Sequence, residues 1–241
     1  MNFIEHHSPS SLNLYCASPA MWVLEKVIGV RQAVGSPAHR GSAVEEGVTV
    51  GLLNLDAPIQ ECIEAALTKY DTISALSSDA RRQDYRATIA PMVQRALIEL
   101  RPYGIPSQTQ GFVEWKPEGL ELPIVGYFDY EWAEHGIIVD LKTTEKLPSQ
   151  NKIPHARQVA LYAGSDNMDG RLTYVTPKKI ATYRVENIRD HRKALYEIAL
   201  SVEALLSLQD AERIKRLVMP DLESFYWGGP NRQLAFEHFG V

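Results

Sequence analysis

Gly126-Tyr-Phe-Asp129, followed after a short break by Gly136-Ile-Ile-Val-Asp140-Leu-Lys142-Thr-Thr, is the stretch from which the fold can be inferred. Residues 123–132 are rich in β-branched and aromatic side chains, and residues 136–140 form a short apolar run, so both predict β-strands. Residues 133–136 are few enough for a hairpin turn. The two strands are therefore predicted to be antiparallel neighbours.

Two acids and a lysine are predicted to meet on these strands. Asp140 and Lys142 are two residues apart, so their side chains leave the same face of a strand, beside Asp129. A divalent cation such as Mg²⁺ takes carboxylate and carbonyl oxygens as ligands, and it activates water against a phosphate. A nearby lysine orients that water and stabilises the charged phosphate. This residue set is typical of metal-assisted phosphodiester cleavage.

An ordinary surface ion pair is the alternative interpretation of Asp-x-Lys on a strand. Asp140, however, directly follows Ile137-Ile-Val139, and the end of a buried strand is a costly place for an unpaired charge. The buried position favours a functional site.

Three motifs in one order resemble a known family. Gly126-Tyr-Phe-Asp129, Asp140-Leu-Lys142-Thr143 and Gln158-Val-Ala-Leu-Tyr162 correspond to G-x-x-D, D-x-K-T and Q-x-x-x-Y. This order resembles the PD-(D/E)XK nuclease superfamily, in its RecB-like exonuclease branch of the phage or CRISPR-associated type. Gln158 and Tyr162 are four residues apart and would share one face of a helix.

A further motif lies upstream. Arg40-Gly-Ser-Ala-Val-Glu45 resembles the R-G-x-x-x-H element of the branch, with a glutamate in place of the histidine. Residues 44, 48 and 52 recur at intervals of four on the core side of this helix, which leaves Glu45 beside the apolar stripe. Glu46 is the alternative upstream acid, and a solvated helix face carrying both glutamates is the alternative to any ligand role.

The resemblance implies a role for each matching position. It implies Mg²⁺ or Mn²⁺ as cofactor, a lysine that orients the attacking water, and a glutamine and tyrosine that seat the substrate strand. The implied metal ligands are Glu45, Asp129, Asp140 and the Leu141 carbonyl, and the implied catalytic residues are Asp129, Asp140, Lys142, Gln158 and Tyr162.

The implied fold class is α/β with a restriction-endonuclease-like core. That core has the order α-β-β-β-α-β, a central mixed sheet flanked by helices, here with a helical N-terminal elaboration. We expect a single nuclease domain over residues 1–241: a mainly helical segment over residues 1–105 that carries Glu45, the catalytic sheet and Gln158 helix over 106–186, and C-terminal helices with a tail over 187–241.

The element pattern agrees with this order. A helical entry is predicted over residues 10–27, and the helix that carries Glu45 follows the loop and ends at about residue 53. Further helices are predicted over 58–70, 79–100 with a kink or a new segment at Pro91, 154–162 and 188–208. Residues 30–38 are predicted as a loop, and strands over 110–115, 123–132, 136–140, 171–175 and 181–185. An aromatic tail from Phe225 to Phe239 is expected to dock on the core or on a partner, with base stacking as the alternative.

Composition and missing motifs exclude several cofactors and enzyme classes. Residues 10–22 resemble the S-x-L-x-x-Y-x-x-C-P opening of the branch, but Ser18 replaces the cysteine before the proline, and two cysteines in all exclude the four thiolates of an iron-sulfur cluster. The sequence contains neither a phosphate-binding loop of a motor nor a Gly-x-Ser-x-Gly elbow. Without an apolar run long enough to span a membrane, a cytoplasmic location in a bacterium or a phage-infected cell is expected.

The expected partner is DNA, through single- or double-stranded ends. A net charge of −5 permits this, because local potential along a groove matters more than the total. A homo-oligomer enclosing DNA and a single-strand annealing or recombination partner are compatible with the branch, and no membrane contact is expected. The second hypothesis is a weakly active or inactive nuclease fold that serves as a nucleic-acid-binding or assembly module.

Overall fold

The computed structural model describes residues 3–30, 34–164 and 168–241. The helices are α1 Pro9–Ala17, α2 Pro19–Val23, α3 Ser36–Leu53, α4 Ile59–Ile73, α5 Arg82–Ala87, α6 Ile89–Leu100, α7 Ile153–Tyr162, α8 Ile188–Leu206, α9 Ala211–Lys215 and α10 Asn231–Phe239. The strands are β1 Gln108–Trp115, β2 Ile124–Trp132, β3 Ile137–Thr143, β4 Asp169–Val175 and β5 Ile180–Arg184. None of the helices described has both the length and the apolar character needed to cross a bilayer.

A five-stranded mixed sheet forms the centre of the fold, in the spatial order β1-β2-β3-β4-β5. Strands β2 and β3 are antiparallel, β3 and β4 are parallel, and β4 and β5 are antiparallel. A parallel neighbour requires a crossover connection, and α7 provides it between β3 and β4. The predicted α/β class with a mixed central sheet between helices is confirmed.

The chain divides into two compact units. One comprises Ala33–Phe112 and Tyr127–Ile188, and the other comprises Met1–Gln32, Val113–Gly126 and Arg189–Val241. Strands β1 and β2 each contain residues of both units. The assignment of residues 1–241 to a single domain stays a prediction.

Helix α3 packs closely against α4 in the first of these units because two of its residues lack side chains. A Cβ atom at Gly47 would overlap the Cys62 carbonyl oxygen, and one at Gly51 would lie 2.6 Å from a Leu97 methyl group. The apolar side chains of α3, α4, α6, β2 and β3 form the largest core, with Val44, Val48 and Tyr130 fully buried. The close approach sets α3 against α4 and α6.

Prolines and polar residues divide two helices that the periodicity predicts as longer runs. The predicted 10–27 helix is interrupted at Ser18, and α2 restarts at Pro19, whose missing N–H costs nothing in a first turn. Residues 79–100 form two helices, and Pro91 lies in the first turn of α6 for the same reason. Of the two alternatives at Pro91, a kinked helix and a new helical segment, the new segment is confirmed. Residues 31–33 of the predicted 30–38 loop lie outside the described residues.

The second unit has its own apolar cluster. Ala20, Met21 and Leu24 pack with Trp227 and Ala235. The Trp227 indole N–H donates to the Ser18 hydroxyl over 3.2 Å. The aromatic tail is therefore partly helical, as α10, and its Trp227 is docked within this unit.

We expect Gly47→Ala to destabilise the protein by roughly 1–3 kcal/mol, because its methyl group meets a backbone oxygen that cannot move aside. Gly41→Ala is the matched control on the same helix, since its methyl group would meet only the Thr143 hydroxyl at 3.5 Å. The control should be neutral or slightly stabilising. Thermal unfolding of both variants checks this, and equal melting temperatures would contradict the close packing.

Candidate active site

The site begins where β2 and β3 meet. The Leu141 N–H donates to the Asp129 carboxylate, Oδ2, over 2.6 Å. Asp129 is 9% exposed and Asp140 1% exposed, so both carboxylates are inside the protein. The hydrogen bond holds the Asp129 carboxylate beside the backbone that carries Asp140.

Asp140 and Lys142 form an ion pair on β3. The Lys142 Nζ lies 2.6 Å from the Asp140 Oδ2. The other oxygen, Oδ1, is buried and has no hydrogen-bond partner among the described residues. A buried carboxylate oxygen without a partner is costly unless a cation or a donor reaches it. The Asp140 carboxylate therefore retains an open acceptor that suits a ligand role.

Glu45 is brought to the same place by α3. The Tyr130 hydroxyl donates to the Glu45 carbonyl oxygen over 3.1 Å and lies at the same distance from the Thr49 hydroxyl. These contacts fasten one turn of α3 to β2. Glu45 is half-buried, whereas the alternative acid, Glu46, is exposed. Of the two glutamates, the structure places Glu45 with the aspartates.

Gln110 on β1 joins the site although no motif indicated it. Its amide Nε2 donates to the Glu45 Oε1 and, over 3.3 Å, to the Asp129 Oδ1. Gln110 also has a φ of 50°, in the left-handed region that few residues other than glycine adopt. One amide nitrogen thus lies between two of the three predicted carboxylate ligands.

The electrostatics reflect this concentration of acids. Burial raises the pKa of Asp129 well above its ordinary value, and the charges of Asp140 and Glu45 raise it further. Burial also raises the pKa of Asp140 and that of Glu45. Burial acts against the charged form of Lys142, but Asp140 and Asp129 outweigh it and its pKa is raised. Lys142 is therefore a cation at neutral pH.

Gln158 and Tyr162 share one face of α7, as their spacing predicts. The Gln158 Nε2 donates to the Tyr162 hydroxyl over 2.7 Å. Burial raises the pKa of Tyr162, and the charges of Asp140 and Asp129 add to the effect. The hydroxyl is therefore protonated and close enough to both carboxylates to sense their charge.

A histidine–tyrosine pair supports the beginning of α7. The Tyr174 hydroxyl accepts the Lys152 backbone N–H over 3.1 Å and lies 3.0 Å from the His155 Nδ1. Burial lowers the pKa of His155 to about 4, and the charges of Lys142 and Lys152 contribute. His155 is consequently neutral near pH 7 and serves as a packing and hydrogen-bonding group.

A groove adjoins the strand end that carries Lys142. Arg40, which begins the upstream motif, is 3% exposed, and its guanidinium lies 5.0 Å from the centre of the Tyr85 ring. Its Nε is buried without a hydrogen-bond partner among the described residues. The groove is lined by Pro37, Arg40 and residues 143–154, which include the exposed Lys146 and Lys152. The groove therefore carries two exposed lysines together with the exposed acid Glu145.

The donor atoms of the predicted residues suit a divalent cation, although the side chains are not arranged around one. Within residues 3–30, 34–164 and 168–241, no three His, Cys, Asp or Glu side chains stand in a ready metal-binding arrangement. The contacts give the reason, since Gln110 bridges two of the carboxylates and Lys142 is paired with the third. The donor set nevertheless fits a hard cation, because it offers carboxylates and an orphaned buried oxygen.

Sequence reasoning missed two residues that organise this site, Gln110 and Tyr130. The Gln110-Gly111 pair inside a predicted strand was a signal, because glycine in a strand often marks a bulge or a close approach. Tyr130 follows Asp129 directly and resembles an ordinary strand aromatic, so nothing in the pattern singled it out.

In a comparison with known proteins, one family model matches the chain. A family model described as the PD-(D/E)XK nuclease superfamily matches residues 6–224. No curated protein matches the chain. Among solved structures, the chain is similar to the crystal structure of SSO0001, with 16% identity and a TM-score of 0.36 over 68% of this chain and 85% of that one. A similarity at that level carries no argument about function.

Asp129→Asn is expected to stabilise the metal-free protein at pH 7. Because the folded-state pKa of Asp129 is raised, the stability linked to its protonation is complete below the ordinary aspartate pKa of about 3.9 and is lost as the pH rises through the raised value. The variant keeps an oxygen for the Leu141 N–H but removes the charge. In EDTA it should melt at least about 2–4 °C above wild type, the shift that 1 kcal/mol produces in a chain of this size.

The advantage of Asp129→Asn should shrink as the pH approaches 4, which a melting series between pH 4 and 8 measures. Asp56→Asn, at an exposed position, is the control and should melt with wild type throughout. A lower melting temperature for Asp129→Asn at pH 7 would show that the buried Asp129 carboxylate does not destabilise the folded protein.

Proposed function

Because the chain belongs to the PD-(D/E)XK nuclease superfamily, we propose that it is a Mg²⁺- or Mn²⁺-dependent DNA exonuclease that hydrolyses phosphodiester bonds at the Asp129, Asp140 and Lys142 site. The observation that carries the proposal is the buried Asp140 carboxylate. One of its oxygens pairs with Lys142, and the other has no partner among the residues described. A surface ion pair, the alternative interpretation, would not be 1% exposed at its acid.

The metal would be held by the carboxylates of Glu45, Asp129 and Asp140 with the Leu141 carbonyl. When bound, a divalent cation lowers the pKa of a coordinated water and shields the phosphate. The Leu141 N–H donates to the Asp129 Oδ2 and leaves the second oxygen, Oδ1, to the Gln110 amide. The chain's own hydrogen bonds therefore orient one oxygen of this acid for a ligand role.

Lys142 would act as a fixed positive charge. In the metal-free site the charges of Asp140 and Asp129 raise its pKa, which favours the protonated ammonium. From its position 2.6 Å from Asp140 it would orient the attacking water and stabilise the negative charge that builds on the phosphate. The proton of the water must then leave by another group or by solvent.

Gln158 and Tyr162 would seat the substrate strand beside these residues. The tyrosine hydroxyl stays protonated because burial and the carboxylate charges raise its pKa, so it is available as a donor to a phosphate oxygen. Gln158 donates to the same hydroxyl and holds its orientation. Support for these roles comes from the order and spacing of the motifs on β3 and α7.

The biological setting belongs to the same proposal. The motifs resemble the RecB-like branch, which suggests DNA recombination, repair or processing in a bacterium or a phage-infected cell. A homo-oligomer or a single-strand annealing partner is compatible with such a role. The chain would use DNA ends as substrate and would need no motor of its own.

The direct test is degradation of end-labelled linear DNA with Mg²⁺, with Mn²⁺ and with EDTA. Asp140→Ala and Lys142→Ala should each lower the rate about 10²-fold or more, because the first removes a metal ligand and the second removes the positive charge beside the reacting phosphate. Asp56→Ala and Lys69→Ala, which remove the same charges at exposed positions, are the controls and should cleave like wild type.

Three outcomes separate the hypotheses. If both site variants cleave like wild type, the site is wrong. If wild type is inert with every metal but binds DNA, the chain is a binding or assembly module on a nuclease fold. Cleavage of a covalently closed circle as fast as of the linear DNA would contradict an exonuclease and leave an endonuclease.

The groove beside Lys142 should contact DNA phosphates. We expect the double variant Lys146→Ala with Lys152→Ala to bind a short duplex more weakly and to lower the slope of log K against log salt concentration by about 1.8, as for two lost phosphate contacts. Lys178→Ala with Lys179→Ala removes equal charge from the exposed turn between β4 and β5 and is the matched control. Fluorescence anisotropy at several salt concentrations measures both, and equal slopes would place the DNA elsewhere.

A further inference from the structure

The Gln110 side chain occupies the space between two acids that repel each other. Its Nε2 donates to both the Glu45 and the Asp129 carboxylates. An amide nitrogen is a donor only, with two N–H groups, so one Gln110 side chain can serve two acceptors at once. Among the described hydrogen bonds, this is the one side-chain group that bridges two members of the acidic set.

The backbone around Gln110 is arranged for this contact. Gln110 adopts a φ of 50°, a left-handed conformation that is strained for a residue with a side chain. At the next position, a Cβ on Gly111 would overlap the Phe128 ring. The glycine lets β1 approach the residue before Asp129, and the unusual φ directs the Gln110 amide to the carboxylates.

The need for such a group follows from the charges of the site. In the metal-free protein Glu45, Asp129 and Asp140 share a small buried region, and the ion pair that Lys142 makes among the described residues is with Asp140. The donor that Glu45 and Asp129 share is therefore the Gln110 amide, while Asp129 also accepts the Leu141 N–H. A cation that bridges the same two carboxylates would meet those N–H groups as like charge and would have to displace them.

We propose that Gln110 is a placeholder for the metal ion: a positioning residue whose amide holds the Glu45 and Asp129 carboxylates together in the metal-free state and withdraws when a divalent cation binds between them. The inference rests on the proposed function, because it assumes that these carboxylates bind the metal. It extends that function by assigning to Gln110 the control of metal affinity. It also accounts for the lack of a ready metal-binding arrangement among the described side chains.

Gln110→Met tests the placeholder, because methionine keeps the length of the side chain and removes the donor. Loss of a hydrogen bond that the metal would otherwise have to break should tighten Mn²⁺ binding about threefold to tenfold, the range of an ordinary protein hydrogen bond. Gln108→Met makes the same change two residues earlier on β1, where the side chain is exposed, and should bind like wild type. Calorimetric titration of EDTA-treated, dialysed protein with Mn²⁺ and with Mg²⁺ gives the dissociation constants.

Thermal unfolding gives a second readout that does not depend on activity. In EDTA, Gln110→Met should melt below Gln108→Met, because two carboxylates lose their shared donor. In saturating Mn²⁺ the two variants should melt together, since the amide no longer contacts the carboxylates. General damage to the fold would instead lower the melting temperature in both buffers and would weaken metal binding.

The outcomes distinguish this inference from the proposed function. If wild type binds no Mn²⁺ or Mg²⁺, the metal-dependent function fails and the placeholder fails with it. If wild type binds metal and Gln110→Met binds with the same affinity, only the placeholder is overturned. A weaker affinity of Gln110→Met would also overturn it, because that result would make the Gln110 amide oxygen a metal ligand.

Discussion

The hydrogen bond from the Leu141 N–H to the Asp129 carboxylate is the contact on which the site depends. It joins β2 to β3 at the position where two aspartates enter the protein, and burying an ionised carboxylate is costly unless donors or cations compensate. Here the compensation is local: the backbone donates to Asp129, and Lys142 pairs with Asp140. The antiparallel pairing of β2 and β3 therefore sets the geometry of the acids as well as the order of the sheet.

Other elements of the fold bring a third acid to the two aspartates. Gly47 lets α3 approach α4, and the Tyr130 hydroxyl fastens α3 to β2, so that Glu45 reaches the aspartates. Burial raises the pKa of all three acids, and neighbouring carboxylates raise it further at Asp129 and Glu45, so the metal-free site is electrostatically unfavourable at neutral pH. Under the proposed function, a bound cation would relieve the mutual repulsion of these acids.

Much of the fold was predictable because its signals are local. The apolar run before Asp140, the short turn after Trp132 and the proline at the start of α7 each act within a few residues, and the observed β2, β3 and α7 follow them. The start of α2 at Pro19 agrees with the second turn that the N-terminal resemblance implies, whereas the extra residues at the beginning of β1 and β4 were less predictable. The ends of helices and strands depend on capping and on neighbouring strands, and the periodicity of hydrophobic residues carries no information about either.

The sequence by itself determined the mixed α/β class, the family resemblance and the spacing of Asp129, Asp140, Lys142, Gln158 and Tyr162, because period and motif are properties of the chain alone. Only the tertiary structure decided that Glu45 and not Glu46 lies with the aspartates, and that Gln110 bridges them. Those two facts depend on how α3 turns against the sheet and on a left-handed residue in β1. Both arise from packing between segments far apart in sequence, which no local pattern records.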